Sequence, residues 1–249
     1  MTIARWRMGN GQRRQHLMRL AALVAALMTG LAWAAAQSTT LAPPTRRATS
    51  DLGAKIVAAG QQMLADFPNS TYAHKTRIDR NQGVCEVDCS GFVATVLGQV
   101  APQHVEVLPL KKAGRKRPLA EDFYAAFVLA EQGKLPGWQA VTQVGEARPG
   151  DVLAWYKEEH MKGENTGHVM LIAEPPIADG PGKWRIRVLD STGTPHAQDT
   201  RPVGKTGLGS GTLWLDVDSS GRILGYHWKS KDGKLSEHPV AIGRAVEGK

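Results

Sequence analysis

Apolar side chains recur along this chain first with a helical period and later in alternation. Leu52, Ile56, Gly60, Met63, Leu64 and Phe67 fall on one helical face, Ser50 can cap it, and Pro68 closes the segment. Residues 69–87 have no clear period and are expected to form a loop. A second helix should begin at Cys89, with Phe92, Val93, Val96, Leu97 and Val100 as its stripe. Asp88 stands at its N-cap, where a carboxylate can accept the amide of Ser90 or Gly91. After the polar, basic stretch 101–118, a third helix over about Leu119–Gln132 carries Phe123, Phe127 and Val128, and Gly133 can end it. The pattern then changes: DVLAWY (151–156), GHVMLIAE (167–174), WRIRVLDS (184–191), GTLWLDV (211–217), RILGYHW (222–228) and PVAIGRAV (239–246) read as strands separated by turn residues. Helices first and strands afterwards imply an α+β fold, with a five- to six-stranded antiparallel sheet packed on the N-terminal helices.

The first 36 residues change the picture of where the chain works. Five arginines and no acidic residue precede an apolar run from Leu20 to about Leu31, and Ala34-Ala35-Ala36 offers small residues for cleavage. That is the layout of an export signal, so the chain is expected to be periplasmic or secreted, with no membrane span after cleavage. An uncleaved anchor is the alternative, and the Arg13-Arg14 pair raises a twin-arginine route. Residues 37–49, rich in Ser, Thr, Pro and Ala, read as a linker, and 50–249 as one domain. The whole chain holds 31 basic and 23 acidic residues; without the signal the balance is 26 to 23, or +3. That is no signature of general nucleic-acid binding. One basic run remains, KKAGRKR at 111–117, a solvated loop or a contact for an anionic cell-envelope polymer.

Two cysteines, Cys85 and Cys89, cannot staple a domain of this size, which leaves them free for chemistry. A thiol attacks as thiolate, and a helix N-terminus favours that form while offering amides for an oxyanion. Asp88, Ser90 and Gly91 should flank such a centre, Gly91 leaving room for a substrate backbone. His168, behind Gly167 at the start of a strand, is the candidate base. In WRIRVLDS the positions Trp184, Ile186, Val188 and Asp190 share one face. Three are apolar, so Asp190 ends a buried face and needs a partner there. A triad follows: Cys89 attacks, His168 moves the proton, Asp190 holds the ring. The rival readings are a Cys85–Cys89 bridge, which would silence or regulate the thiol, and a metal site among His160, His168, Asp190 and His196. Trp155, Trp214 and Trp228 either wall a cleft or fill the core.

VDCSGFV, RPGDVLAWY (148–156) and TGHVMLIAE (166–174), in that order, resemble the NlpC-type cell-wall cysteine peptidases of the papain-like superfamily. The resemblance covers about residues 50–195. It implies a papain-like fold, Cys89 as nucleophile, His168 as general base, Asp190 in place of the family's third polar residue, and Tyr72 as a residue lining the site. It also implies a peptidoglycan stem peptide as substrate and no cofactor. The stretch TYAHKTRIDRNQGV replaces the family's Tyr-x-x-Gly-Gly, and Cys89 to Pro149 is longer than usual. An amidase, an acyltransferase or transpeptidase, and a non-catalytic wall-binding module are the alternatives.

Overall fold

The computed structural model describes residues 51–157 and 165–247. The expected signal peptide and linker, the cap Ser50 and the metal candidate His160 lie outside the described residues. Among the described residues, no helix is long and apolar enough to cross a membrane.

The long strands bury side chains on both faces, and this makes a sheet with a core on each side. The large sheet runs β11(Leu235–Ser236), β10(Ile223–His227), β9(Gly207–Val217), β8(Lys183–Thr192), β6(Gly167–Ile172), β5(Val152–Tyr156), β12(Val240–Ala245), β4(Trp138–Ala140), and β7(Ile177–Ala178) pairs with β8. Every pairing is antiparallel. On one face Val152, Ala154, Val169, Leu171 and Leu189 join the helices in one core cluster. On the other, Leu153, Trp155, Met170, Ile172, Ile186, Val188, Leu213 and Leu215 form a second. The sheet curls around this second cluster far enough for β10 to lie against β12.

The architecture is α+β, and all six expected strands are present. The strand number is nine rather than five or six, because β4, β7 and β11 are two or three residues long. Segments that short carry no alternation to read. For the same reason residues 69–87 are not a simple loop. They hold β1(Thr71–Tyr72), β2(Arg77–Asp79) and β3(Val84–Val87), a small sheet in which β3 is central, parallel to β1 and antiparallel to β2.

Three helices cover the outer face: α1(Asp51–Asp66), α2(Cys89–Val100) and α4(Ala120–Glu131), with the short α3(Pro102–Glu106) after α2. Leu52, Ile56 and Met63 of α1 and Phe92, Val93, Val96 and Leu97 of α2 are buried, as their spacing requires. β3 leads straight into α2, so the small sheet fixes where the N-terminus of α2 points.

Gly167 opens β6 at φ +134°, a conformation side chains rarely adopt, and a Cβ there would overlap the Trp155 carbonyl oxygen. Gly167→Ala is expected to cost about 1–3 kcal/mol of stability, read as a lower denaturation midpoint, because neither the backbone nor β5 can yield easily.

Candidate functional site: a buried Cys-His-Asp line at the start of helix α2

The entry into α2 is held by its cap. Asp88 is extended (φ −87°, ψ −179°), and its Oδ1 accepts the Gly91 amide at 2.6 Å and the Ser90 hydroxyl at 3.0 Å. Its Oδ2 accepts Arg117 Nη2 at 2.6 Å. The same guanidinium donates to Ser90 Oγ at 2.7 Å and to the His74 carbonyl at 2.9 Å. Three expectations change here. Asp88 and Ser90 are buried in this cap and do not face a substrate. The Gly91 amide is consumed by Asp88 and is not free for an oxyanion. The room beside Gly91 is taken by Thr76, whose Oγ1 would lie 2.8 Å from an added Cβ. Helix geometry leaves only the amides of Cys89 and Ser90 without an intrahelical carbonyl or this cap.

The basic run is mostly exposed, as a solvated loop should be, and only Arg115 and Arg117 are half-buried. Arg115 pairs with Asp122 at 2.6 Å and Glu121 at 2.9 Å, and Lys111 sits over the Tyr156 ring at 4.1 Å. Arg117→Met removes charge-assisted bonds that tie the run to both the cap and the His74 loop. It should lower stability by about 1–3 kcal/mol in denaturant titration and slow alkylation of Cys89.

Cys89, the first residue of α2, is buried at 5% exposure. His168 shares the inner face of β6 with Met170 and Ile172, and its Nε2 lies 2.7 Å from Asp190 Oδ2. That leaves Nδ1 as the nitrogen not tied to Asp190, and Cys89 lies close enough for its charge to act on the ring. Burial opposes a charge on this imidazole, but the Cys89 charge and the Asp190 hydrogen bond outweigh it and lift His168 to about 10. The ring stacks on Trp155 (5.1 Å, 29°) and meets Trp228 edge-on (5.3 Å, 85°). An imidazolium over an indole face gains a cation–π contribution.

Asp190, on β8, is fully buried along with Ile186 and Val188 of the same face. Its Oδ2 also receives His196 Nε2 at 2.9 Å, and its Oδ1 receives Arg201 Nη2 at 2.6 Å. Burial works against the carboxylate, yet His196 and His168 hold it well below the usual 3.8.

Tyr72 stands close enough for Cys89, Asp88 and Asp190 to act on it. Burial first, then those negative charges, push its phenol up, so the hydroxyl remains a donor. A cleft of about 500 Å³ opens beside His168, the one member of the line that reaches it, and Tyr72, His74, Trp155, Trp228 and His238 wall it, with Gly167 at its edge. Trp155 and Trp228 thus wall the cleft. Trp214 does not; it is buried elsewhere and donates to Asp179 at 2.8 Å.

Cys85 and Cys89 are both free thiols. Cys85 packs in the outer core, and burial pushes its thiol up to about 11, which disfavours attack by it. His168, Asp190 and His196 offer three ligand atoms within 4.8 Å of one another, a geometry that could take a metal ion. Arg201 argues against it: a guanidinium 2.6 Å from Asp190 already balances the carboxylate, and a divalent ion would sit beside a fixed positive charge. Sequence reasoning takes His196 only as a metal candidate and overlooks Arg201 and Asp199, which reach the site from the loop after β8.

Compared with known proteins, the chain matches no family model and no solved structure. A curated relative, "Uncharacterized protein R653" of Acanthamoeba polyphaga mimivirus, is 30% identical over 179 residues, covering 63% of this chain and 76% of the viral protein.

Proposed function

The chain belongs to one family with mimivirus protein R653, and, as that name carries no activity, we propose from the site itself that the chain is a papain-like thiol hydrolase of amide bonds. One observation carries the reading: His168, near enough to Cys89 for the two to interact electrostatically, is held 2.7 Å from a buried carboxylate at the wall of an open cleft. The line has the order nucleophile, base, orienting group that acyl transfer needs.

In the proposed reaction Cys89 Sγ forms a bond to the substrate carbonyl carbon, and the carbonyl π pair moves onto oxygen. The first amides of α2 and the Tyr72 hydroxyl are the donors for that oxyanion. Collapse breaks the C–N bond while the His168 Nδ1 proton passes to the leaving amine, which departs and leaves a thioester. Water gives a proton back to His168 as its oxygen attacks the thioester; the acid leaves and the Cys89–His168 pair is restored. Asp190 holds the imidazole throughout with Nε2 tied and Nδ1 aimed at sulfur.

The motifs VDCSGFV, RPGD and TGHV support an NlpC-type assignment, and with it a peptidoglycan stem peptide as substrate and an exported site of action. The test is digestion of purified muropeptides by wild type and Cys89→Ala, with and without excess chelator, products identified by mass. A Cys89-dependent new amine that survives chelation is the expected result. Absence of any Cys89-dependent product removes the cell-wall assignment, and transfer to an added amine redirects it to acyl transfer.

A further inference from the structure

The tail of the chain holds a motif that neither the resemblance nor the reaction uses, GLGSGT at 207–212. It forms the first half of β9, where Gly207, Gly209 and Gly211 share one face with Leu213 and Leu215. A strand with glycine at three alternate positions loses packing and order, so something else must fill that face. The loop after β8 does. A Cβ on Gly209 would lie 2.7 Å from Arg201 Cγ and Cζ, and one on Gly211 would overlap the His196 side chain. A Cβ on Gly207 would meet the Ser70 carbonyl oxygen at 2.5 Å. The loop is also stitched to β9: Thr212 N donates to Ala197 O at 2.8 Å, Thr200 N to Ser210 O at 2.8 Å, and Arg201 Nε to Gly207 O at 2.7 Å.

What the stripe seats lies next to Asp190. In the β8–β9 register Asp190 stands opposite Gly209 and Val188 opposite Gly211. The groove therefore brings Arg201 onto the carboxylate oxygen that His168 does not use, and His196 onto the oxygen that it does. Arg201 donates to Asp190 Oδ1 and to its carbonyl, at 2.6 and 2.7 Å, and Asp199 holds the guanidinium at 2.7 Å. His196 makes its side-chain bond to Asp190 Oδ2. Its Nδ1 is buried with no hydrogen-bond partner among the described residues, and its ring lies 3.8 Å from that of Trp228. Trp228 in turn donates to Thr194 O at 3.0 Å, which ties the same loop to the cleft wall.

We propose that His196 and Arg201 are positioning residues that fix the Asp190 carboxylate for His168, and that the Gly207-x-Gly209-x-Gly211 stripe is the groove that seats them. This deepens the thiol-hydrolase reading and rests on it. With Oδ1 taken by Arg201 and Oδ2 shared with His196, the carboxylate has one orientation, and His168 is held with a single nitrogen toward Cys89. Without them a buried carboxylate could rotate and the imidazole would lose its aim.

The experiment measures two things in the full chain: the rate of Cys89 alkylation by iodoacetamide against pH, and the His168 titration by NMR. Wild type is compared with His196→Phe, which keeps ring volume without the donor, His196→Gln, which restores a donor, and Gly211→Ala, which changes no polar group. Expected are a downward shift of the His168 titration and about a tenfold or greater loss of alkylation rate at neutral pH in His196→Phe. Gly211→Ala should move the same way, and His196→Gln should recover most of the loss. A folded His196→Phe with wild-type titration and profile overturns the proposal. Should that variant not fold, wild-type behaviour of Gly211→Ala and Arg201→Lys overturns it instead. Failure of the hydrolase reading looks different: wild type itself then gives no Cys89-dependent product, while the His168 titration still tests the positioning.

Discussion

Cys89→Ala will remain folded, lose amide hydrolysis by at least about 1,000-fold, and titrate its His168 at lower pH than wild type. The activity loss follows from removing the atom that forms the acyl bond. The titration shift is the more diagnostic half. Burial by itself would keep His168 neutral, and the largest effect opposing burial is the Cys89 charge. Alanine removes that charge and leaves Asp190 and the Trp155 ring to favour the imidazolium. The stability consequence has a definite sign. His168 is raised in the fold from 6.5 to about 10, so its contribution is complete below 6.5 and is lost as pH rises through about 10. In the variant that contribution is smaller and disappears at lower pH. Denaturation midpoints from pH 6 to pH 10 should therefore fall later in wild type than in Cys89→Ala. An unchanged His168 midpoint would sink the ion pair and with it the proposed role of Cys89.

How much of this could be read beforehand depends on how local each signal is. The three principal helices and six long strands follow from periodicity because each buries a face along many residues. β1, β4, β7 and β11 are short pairings decided by neighbours distant in the chain, and nothing in their own residues announces them. Asp190 was legible because Ile186 and Val188 mark its face as buried, and a buried carboxylate implies partners. Which partners was only half legible. His168 came from its position after Gly167, whereas Arg201 and His196 lie on a loop without period, and only the glycine alternation in GLGSGT hints that β9 must be covered. The octet around Cys89 announced its cap correctly and misled about the substrate side for a physical reason. The amide that caps the helix and the amide offered to an oxyanion are the same Gly91 N–H, and the cap takes it. Arg117 shows the limit of reading a basic run as surface. Its landing place on Asp88, 29 residues earlier, is a long-range contact that the run's composition does not announce.

Asp190→Asn will cost more stability than any other single change at the site, about 3–5 kcal/mol at neutral pH, and will cut turnover by about 1,000-fold or more. Asparagine keeps the volume but removes the charge that three cations or donors face. Arg201, whose side chain is 2% exposed, would lose its ion pair and keep only neutral acceptors and Asp199. Arg201 thus keeps one counter-charge, and the change is severe because three buried donors, on Arg201, His168 and His196, lose a charged acceptor together. His168 would lose the acceptor for Nε2 as a charge, and the amide could also present its NH2 group, turning the ring away from sulfur. The pH dependence separates this account from a simple packing defect. Asp190 is held well below 3.8, so its contribution is fully present above 3.8 and is lost as pH falls through the depressed folded value. The gap in stability between wild type and Asp190→Asn should be constant from pH 7 down to about 4 and then narrow. A gap that stays constant into strong acid would mean that the carboxylate charge does not hold the network, and the network would then owe its order to packing alone.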